Sequence, residues 1–425
     1  MSEIYSLTLI CALLLSWVNF SLFLRVSLVM IPFLPRFIGF PLSGGSLSLF
    51  RIVVFLSFIR LIYEMLRRER FVLFFSSPIH RNHTILILFY ALILFFSSLI
   101  NGKIIIFQFI DELLTLSFGI VIIYALQTGI VKKDDILASM SLGFFLSLVV
   151  AIIEIYAKYP IYSLLGNGDI ETTRQLGDVI LRDGMYRIYG TLDNPVYYGF
   201  YLATMLPICL YHIQAKYKTK FSILFFCITA YVIYNTGSRS SMLLVTLAIL
   251  LVLSFELYKK QNSTTKILLL MVLSVIVPIA LTYIITLVID MVSSFTSYND
   301  YDSEAVRSLF SRLLQYSKYS TIVENIWFGD GKILSIKNFV AEHGAIDNKM
   351  IVILLETGFL GVIIVVFMSV YLVFGLFKYC WLSKLNLLVY TSISLSIIGA
   401  IVLPSPISFF YTSILLALIK RPNFT

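Results

Sequence analysis

Charge is what this sequence has least of. Of its 425 residues only 13% are Asp, Glu, Lys or Arg, while 59% are hydrophobic, and the mean hydropathy is +0.93. A soluble domain carries about 25% charged residues, so this composition excludes that class. Cysteine is sparse as well. Cys11, Cys209, Cys227 and Cys380 lie in or beside apolar runs with no close pair, which suggests neither a disulfide framework nor a metal knuckle and reads as small buried hydrophobes. Internal repetition is missing, and a long polar stretch falls late in the chain, which argues against the matched halves of many transporters. The opening "MSEIYSLTLICALLLSWVNF" has an acidic start and no small-residue cleavage pattern. It reads as a retained first helix rather than a signal peptide.

Long apolar runs are what the chain does have. Stretches of roughly 18 or more such residues recur from end to end, each long enough to cross the hydrocarbon core as a helix. Spans are expected at roughly 4–24, 47–66, 84–101, 104–128, 135–157, 193–213, 219–236, 239–257, 265–290, 349–377, 385–403 and 406–420. The fold class is therefore an all-α polytopic membrane protein of about 12 transmembrane helices, with residues 1–425 forming a single integral domain. The segment 25–46 is apolar but carries Arg25, Arg36 and three prolines, and is expected to be interfacial or re-entrant.

Basic residues orient the bundle, because cytoplasmic connections collect Lys and Arg. One set of connections holds "RRER" (67–70) with Arg81, Lys132 and Lys133, Lys216, Lys218 and Lys220, Lys259, Lys260 and Lys266, Lys378 and Lys384, and Lys420 with Arg421. With that set inside, both termini are inside. These residues also account for much of the net charge of +9. The outer face then receives the turn "TGSRSS" (236–241) and two long loops, at about 158–192 and about 291–348. Long loops usually carry function.

The unusual polar residues gather on that outer face. Arg182 and Arg187 precede "GTLDNP", where Asn194-Pro195 suits a helix start. Arg239 stands at a helix N-terminus, where backbone N–H groups and the macrodipole favour an anion. Arg307 and Arg312 fall on an amphipathic stretch of the second loop, and His343, Asp347 and Asn348 at the mouth of the next span. Guanidinium forks bind phosphate oxygens bidentately and keep their charge, so these arginines suit a lipid diphosphate leaving group. Asp347 or His343 is the local base for an attacking hydroxyl. Each also has a plainer reading. Arg239 can mark a helix boundary, Arg187 and Arg312 can be ordinary loop residues, Asp347 can be an N-cap, and His343 can sit on a loop surface. Asp111-Glu112 near an outer helix end can pair with an arginine or face water. Asp300-Tyr301-Asp302 has the form of a metal-binding carboxylate pair but reads as solvated loop.

The order "YRIYGTLDNPVYYG", "NTGSRSS", "SR" upstream of "ENIWFGDGK", then "DNKMIVILLETGFLG" resembles the O-antigen ligase and O-antigen polymerase superfamily of bacterial envelope enzymes. The motifs span roughly residues 185–365, and the topology extends the likeness to the whole chain. The resemblance implies a GT-C-like membrane glycosyltransferase in the inner membrane with its active site at the periplasmic face. The donor would be an undecaprenyl-diphosphate-linked glycan, with no metal, cofactor, nucleotide sugar or nucleic acid involved, and a chain-length regulator protein is an implied partner. Carried over, Arg239 and Arg312 grip the donor diphosphate, and Arg187 matches the basic residue before the Gly-Thr-x-x-Asn-Pro turn. Ligases carry His-Asn where the late loop meets the membrane. Here the pair is Asp347-Asn348, which favours the polymerase branch, with His343 four residues earlier. Two alternatives stay open: a ligase transferring glycan to lipid A-core, and a lipid-linked oligosaccharide flippase.

Overall fold

The computed structural model describes residues 11–12, 14–34, 39–42, 45–68, 78–100, 118–161, 181–182, 185–192, 194–217, 219–259, 323, 325–330, 349–380, 382–402, 412 and 414–419. Its helices are α1 (Phe20–Met30), α2 (Leu49–Arg68), α3 (Pro78–Ile100), α4 (Phe118–Gln127), α5 (Lys133–Ala157), α6 (Pro195–Lys216), α7 (Thr219–Asn235), α8 (Arg239–Lys259), α9 (Lys349–Cys380) and α10 (Lys384–Val402). Two short antiparallel ladders accompany them, Gly39–Leu42 with Gly45–Ser48 and Leu181–Arg182 with Met185–Tyr186.

Four of these helices are long and apolar enough to cross a membrane: His80–Ile100, Lys133–Ala157, Pro195–Lys216 and Met350–Cys380. The chain is a helical, multi-pass membrane protein. Leu, Phe and Ile side chains left on the outside, such as Phe145, Ile153, Phe367 and Phe374, suit a lipid surround. The expected span 265–290 and most of both long loops lie outside the described residues.

The expected first span, 4–24, is interrupted. Asn19 leaves the helical region (φ −144°, ψ 95°), and its side-chain oxygen accepts from the Leu22 N–H at 3.0 Å, so a new helix starts at Phe20 and runs through Arg25. Short amides compete with the helix ladder for N–H groups and so restart helices. Arg25 meets Asp135 at 3.6 Å, and a Cβ added at Gly143 would lie 2.7 Å from the Val29 carbonyl. Both contacts advance in the same direction along the chain, so α1 runs parallel to α5. Arg25 therefore belongs to the same end of the bundle as Asp135, not to the opposite end reached after a 4–24 span. Gly143 permits that close helix approach, as small residues do inside membranes.

Helix α6 occupies the centre. It touches α5, α7, α8 and α10, and most of its first fifteen residues are buried. Helix α9 packs on α3 and α10. It bends at Gly358, whose φ of 64° and ψ of −162° lie outside the helical region.

Candidate functional site

The site is built around the start of α6. Asn194 is the N-cap and accepts from the Val196 N–H at 2.8 Å, with Pro195 at the first helical position, as the sequence pattern predicts. The chain before it turns tightly, with the Leu192 N–H donating to the Tyr189 carbonyl at 3.2 Å. Gly190 takes φ +60°, and a Cβ there would fall 2.4 Å from the Tyr198 ring, so only glycine serves. Tyr198 is fully buried and its hydroxyl donates to the Ser147 carbonyl on α5 at 2.8 Å.

That loop is anchored by a residue the sequence reading passed over. Glu154, in the last turn of α5, is completely buried. One carboxylate oxygen accepts from the Tyr189 N–H at 2.8 Å and the Tyr186 hydroxyl at 3.0 Å, and the other accepts from the Gly190 N–H at 2.7 Å. The single charged residue between Asp135 and Lys158 was the available signal, since such residues are costly in a membrane and need partners. Burial, then the nearby Glu154 charge, holds the Tyr186 phenol well above its ordinary pKa. Burial likewise raises Tyr189, against the opposing pull of the Arg187 charge. The Tyr189 and Thr191 hydroxyls are both buried with no hydrogen-bond partner among the described residues.

The "TGSRSS" segment closes α7 and opens α8. Gly237, at φ +62°, reverses the chain. The Ser238 hydroxyl accepts from the Ser241 N–H at 3.3 Å, the side-chain cap expected of serine before a helix, and lies 2.7 Å from the Ser241 hydroxyl. Arg239 is the first residue of α8. On α6, Gly199 lets this turn come close: a Cβ there would meet the Ser241 and Thr236 side-chain oxygens at 2.7 and 2.8 Å.

Arg187 joins the two segments. Its Nε donates to the Thr236 carbonyl at 2.8 Å, and the Ile188 N–H donates to the Asn235 carbonyl at 3.2 Å. These carbonyls belong to the end of α7, where helices leave acceptors unmet and a cation is favoured. Arg187 is only 8% exposed, held against the end of α7 rather than standing in solvent. The structure thus places Arg187 against the turn whose third residue on is Arg239. Arg312, His343 and Asp347 lie outside the described residues, as do Asp111-Glu112 and Asp300-Asp302, and the side chain of Arg239 is not described.

The third and fourth motifs also meet. The 325–330 segment folds on Asn325, whose side-chain oxygen accepts from the Trp327 and Phe328 N–H groups at 3.2 and 3.1 Å. It docks on the bend of α9: the Asp330 N–H donates to the Leu355 carbonyl at 2.9 Å, and the Phe359 N–H to the Ile326 carbonyl at 3.0 Å. Gly329 (φ +68°) and Gly358 (φ +64°) face each other so closely that a Cβ on either would strike the other's backbone nitrogen, at 2.7 and 2.6 Å. An open groove of about 690 Å³ there is lined by Asn325, Ile326, Trp327, Phe359 and Ile363.

Chemically, the first pair of motifs offers fixed positive charge from Arg187, a helix N-terminus at Arg239 and buried hydroxyls. That set suits an anion. Among the described residues no group of three His, Cys, Asp or Glu side chains could hold a metal ion.

A protein-family model described as O-antigen ligase matches residues 224–366. No curated protein matches the chain. The matched stretch includes the "TGSRSS" turn, the 325–330 segment and the Gly358 bend, and begins after Glu154 and Arg187. Over residues 224–366 this membrane protein carries the sequence pattern of the O-antigen ligase/polymerase superfamily, whose members assemble O-antigen and related glycans.

Proposed function

We propose that the protein is an O-antigen polymerase of a bacterial inner membrane, with both termini cytoplasmic and the site at the periplasmic face. It joins undecaprenyl-diphosphate-linked repeat units without a metal or cofactor. The non-reducing sugar hydroxyl of a new lipid-linked unit attacks the anomeric carbon of the growing chain. The new glycosidic C–O bond forms as the bond to the diphosphate breaks, and the hydroxyl proton passes to Asp347 or His343. Undecaprenyl diphosphate leaves as an anion held by Arg239, Arg312 and Arg187. A diphosphate is a weakly basic leaving group, so fixed cationic charge serves it better than a proton donor. Holding both lipid-linked substrates at one membrane face supplies proximity and orientation.

The observation carrying this reading is the Arg187–Thr236 hydrogen bond, which supports a shared anion site built from the "YRIYG" loop and the Ser-Arg turn. The Asp347-Asn348 pair, in place of the His-Asn of ligases, favours polymerisation over ligation. The test is the lipopolysaccharide gel pattern of a strain lacking this gene alone. Lipid A-core bearing a single repeat unit is the expected result. Bare lipid A-core with long polymer accumulating on undecaprenyl diphosphate would make the protein the ligase. Single repeats trapped on the carrier at the cytoplasmic face would make it a flippase.

A further inference from the structure

Glu154 stands where its own helix does not want it. The last turn of α5 is the negative end of the helix dipole, so a carboxylate there is disfavoured locally, and its complete burial removes the water that would otherwise solvate it. Glu64 is also buried, yet its partner Arg60 lies one turn away on the same helix, at 2.9 Å. Glu154 instead receives its donors from a different segment: the Tyr186 hydroxyl and the N–H groups of Tyr189 and Gly190. Two consecutive amides on the two carboxylate oxygens make a clamp of the kind backbone forms around anions. Here the acceptor is a carboxyl group of the protein itself.

Those donors bracket Arg187. Tyr186 precedes it, while Tyr189 and Gly190 follow, and between them Arg187 and Ile188 reach across to the end of α7. The contacts form a continuous line from α5, through the loop, to the Ser-Arg turn. Without the carboxylate, the Tyr186 hydroxyl and the Tyr189 and Gly190 N–H groups lose this acceptor, and with it the hydrogen bonds that tie them to the last turn of α5. We infer that Glu154 is a positioning residue that sets Arg187 against the Ser-Arg turn, and so sets the grip on the donor diphosphate. This rests on the donor-binding reading above and adds to it the residue that shapes the site from below.

The chemistry of replacement makes the inference testable. Glu154→Gln keeps the shape but turns one acceptor into an N–H₂ donor facing another donor. The experiment measures equilibrium binding of undecaprenyl diphosphate to the purified full-length protein in detergent, together with its melting temperature. Four proteins are compared: wild type, Glu154→Gln, Arg187→Lys and the double variant. An amide N–H₂ set against a backbone N–H displaces the loop and predicts binding about 10-fold weaker for Glu154→Gln at a melting temperature near wild type. Residues acting through one another are non-additive, so the double variant binds no more weakly than Arg187→Lys alone. Tyr186→Phe, which removes a single hydroxyl, shows a loss of about 3-fold in the same direction, absent in the Arg187→Lys background. It replaces Glu154→Gln if that variant does not fold.

Wild-type affinity in Glu154→Gln, or in Tyr186→Phe where that takes its place, would overturn the inference, as would losses that multiply in full with that of Arg187→Lys. If Arg187→Lys weakens binding and the Glu154 variant does not, only this inference falls. If the wild type does not bind the probe, or Arg187→Lys binds it as tightly as wild type does, the donor-binding reading falls and takes the inference with it.

Discussion

The Arg187 Nε–H donates to the Thr236 carbonyl at 2.8 Å across 49 residues of sequence. The bond makes one structural unit of a loop that precedes a helix and a turn that joins two others. Neither segment alone would fix a guanidinium at that place.

Arg239→Ala is expected to lower polymer formation by about 100-fold, the scale of removing one group that stabilises developing charge. Arg239→Lys is expected to retain part of the activity, because charge survives while the bidentate fork does not. The check is the length distribution of the polysaccharide in cells with equal membrane levels of each variant. Full activity in Arg239→Ala would end the anion-site reading of the turn.

Two glycine substitutions are expected to differ. Gly190→Ala places a Cβ 2.4 Å from the Tyr198 ring at φ +60°, so it combines backbone strain with a clash and should cost about 3 kcal/mol or more. Gly237→Ala, at φ +62°, brings a Cβ 3.1 Å from Arg187 Nε, a tight contact rather than an overlap, and should cost less, about 1 kcal/mol. Melting temperatures in detergent decide whether that order holds.

Alkaline stability reports on Tyr186. Burial and the neighbouring carboxylate raise its pKa in the folded protein above the unfolded value of about 10. A raised phenol contributes its stability fully below about pH 10 and loses it as pH rises through the folded value. Melting temperature should therefore be insensitive to this group near neutrality and fall above about pH 10. In Tyr186→Phe that alkaline fall should be shallower. Identical slopes in the two proteins would contradict the buried phenol.

The parallel packing of α1 on α5 fixes a side. In a cysteine-free background, cysteines placed at Arg25 and at Asp135 should be labelled by an impermeant thiol reagent from the same face of the membrane. Labelling from opposite faces would restore a first span ending before Arg25.

The sequence made the architecture readable where physics is local. Apolar runs located α3, α5, α6 and α9, because a membrane accepts little else over that length. Asn194-Pro195 and Ser238 announced their helix starts, because caps act within a few residues. The restart at Asn19 was hidden, since one amide inside an apolar run changes hydropathy very little while redirecting the ladder. Glu154 was hidden for another reason. Its partners lie 32 to 36 residues away, and no local pattern states which loop a buried carboxylate will serve. Arg187 was legible as a candidate, but its contact with the end of α7 depends on three helices meeting.

Helix α6 is the least apolar of the four spanning helices and the most enclosed by protein. A segment of that kind gains little from leaving the translocation machinery alone, since its favourable surroundings are other helices rather than lipid. Biogenesis therefore has an order. Helix α5, more apolar and synthesised earlier, can settle in the bilayer first. Helix α6 gains its full surroundings only as α7, α8 and α10 follow, since it packs against all three. The bonds of Arg187 and Ile188 to the Thr236 and Asn235 carbonyls therefore form only after the end of α7 has been made.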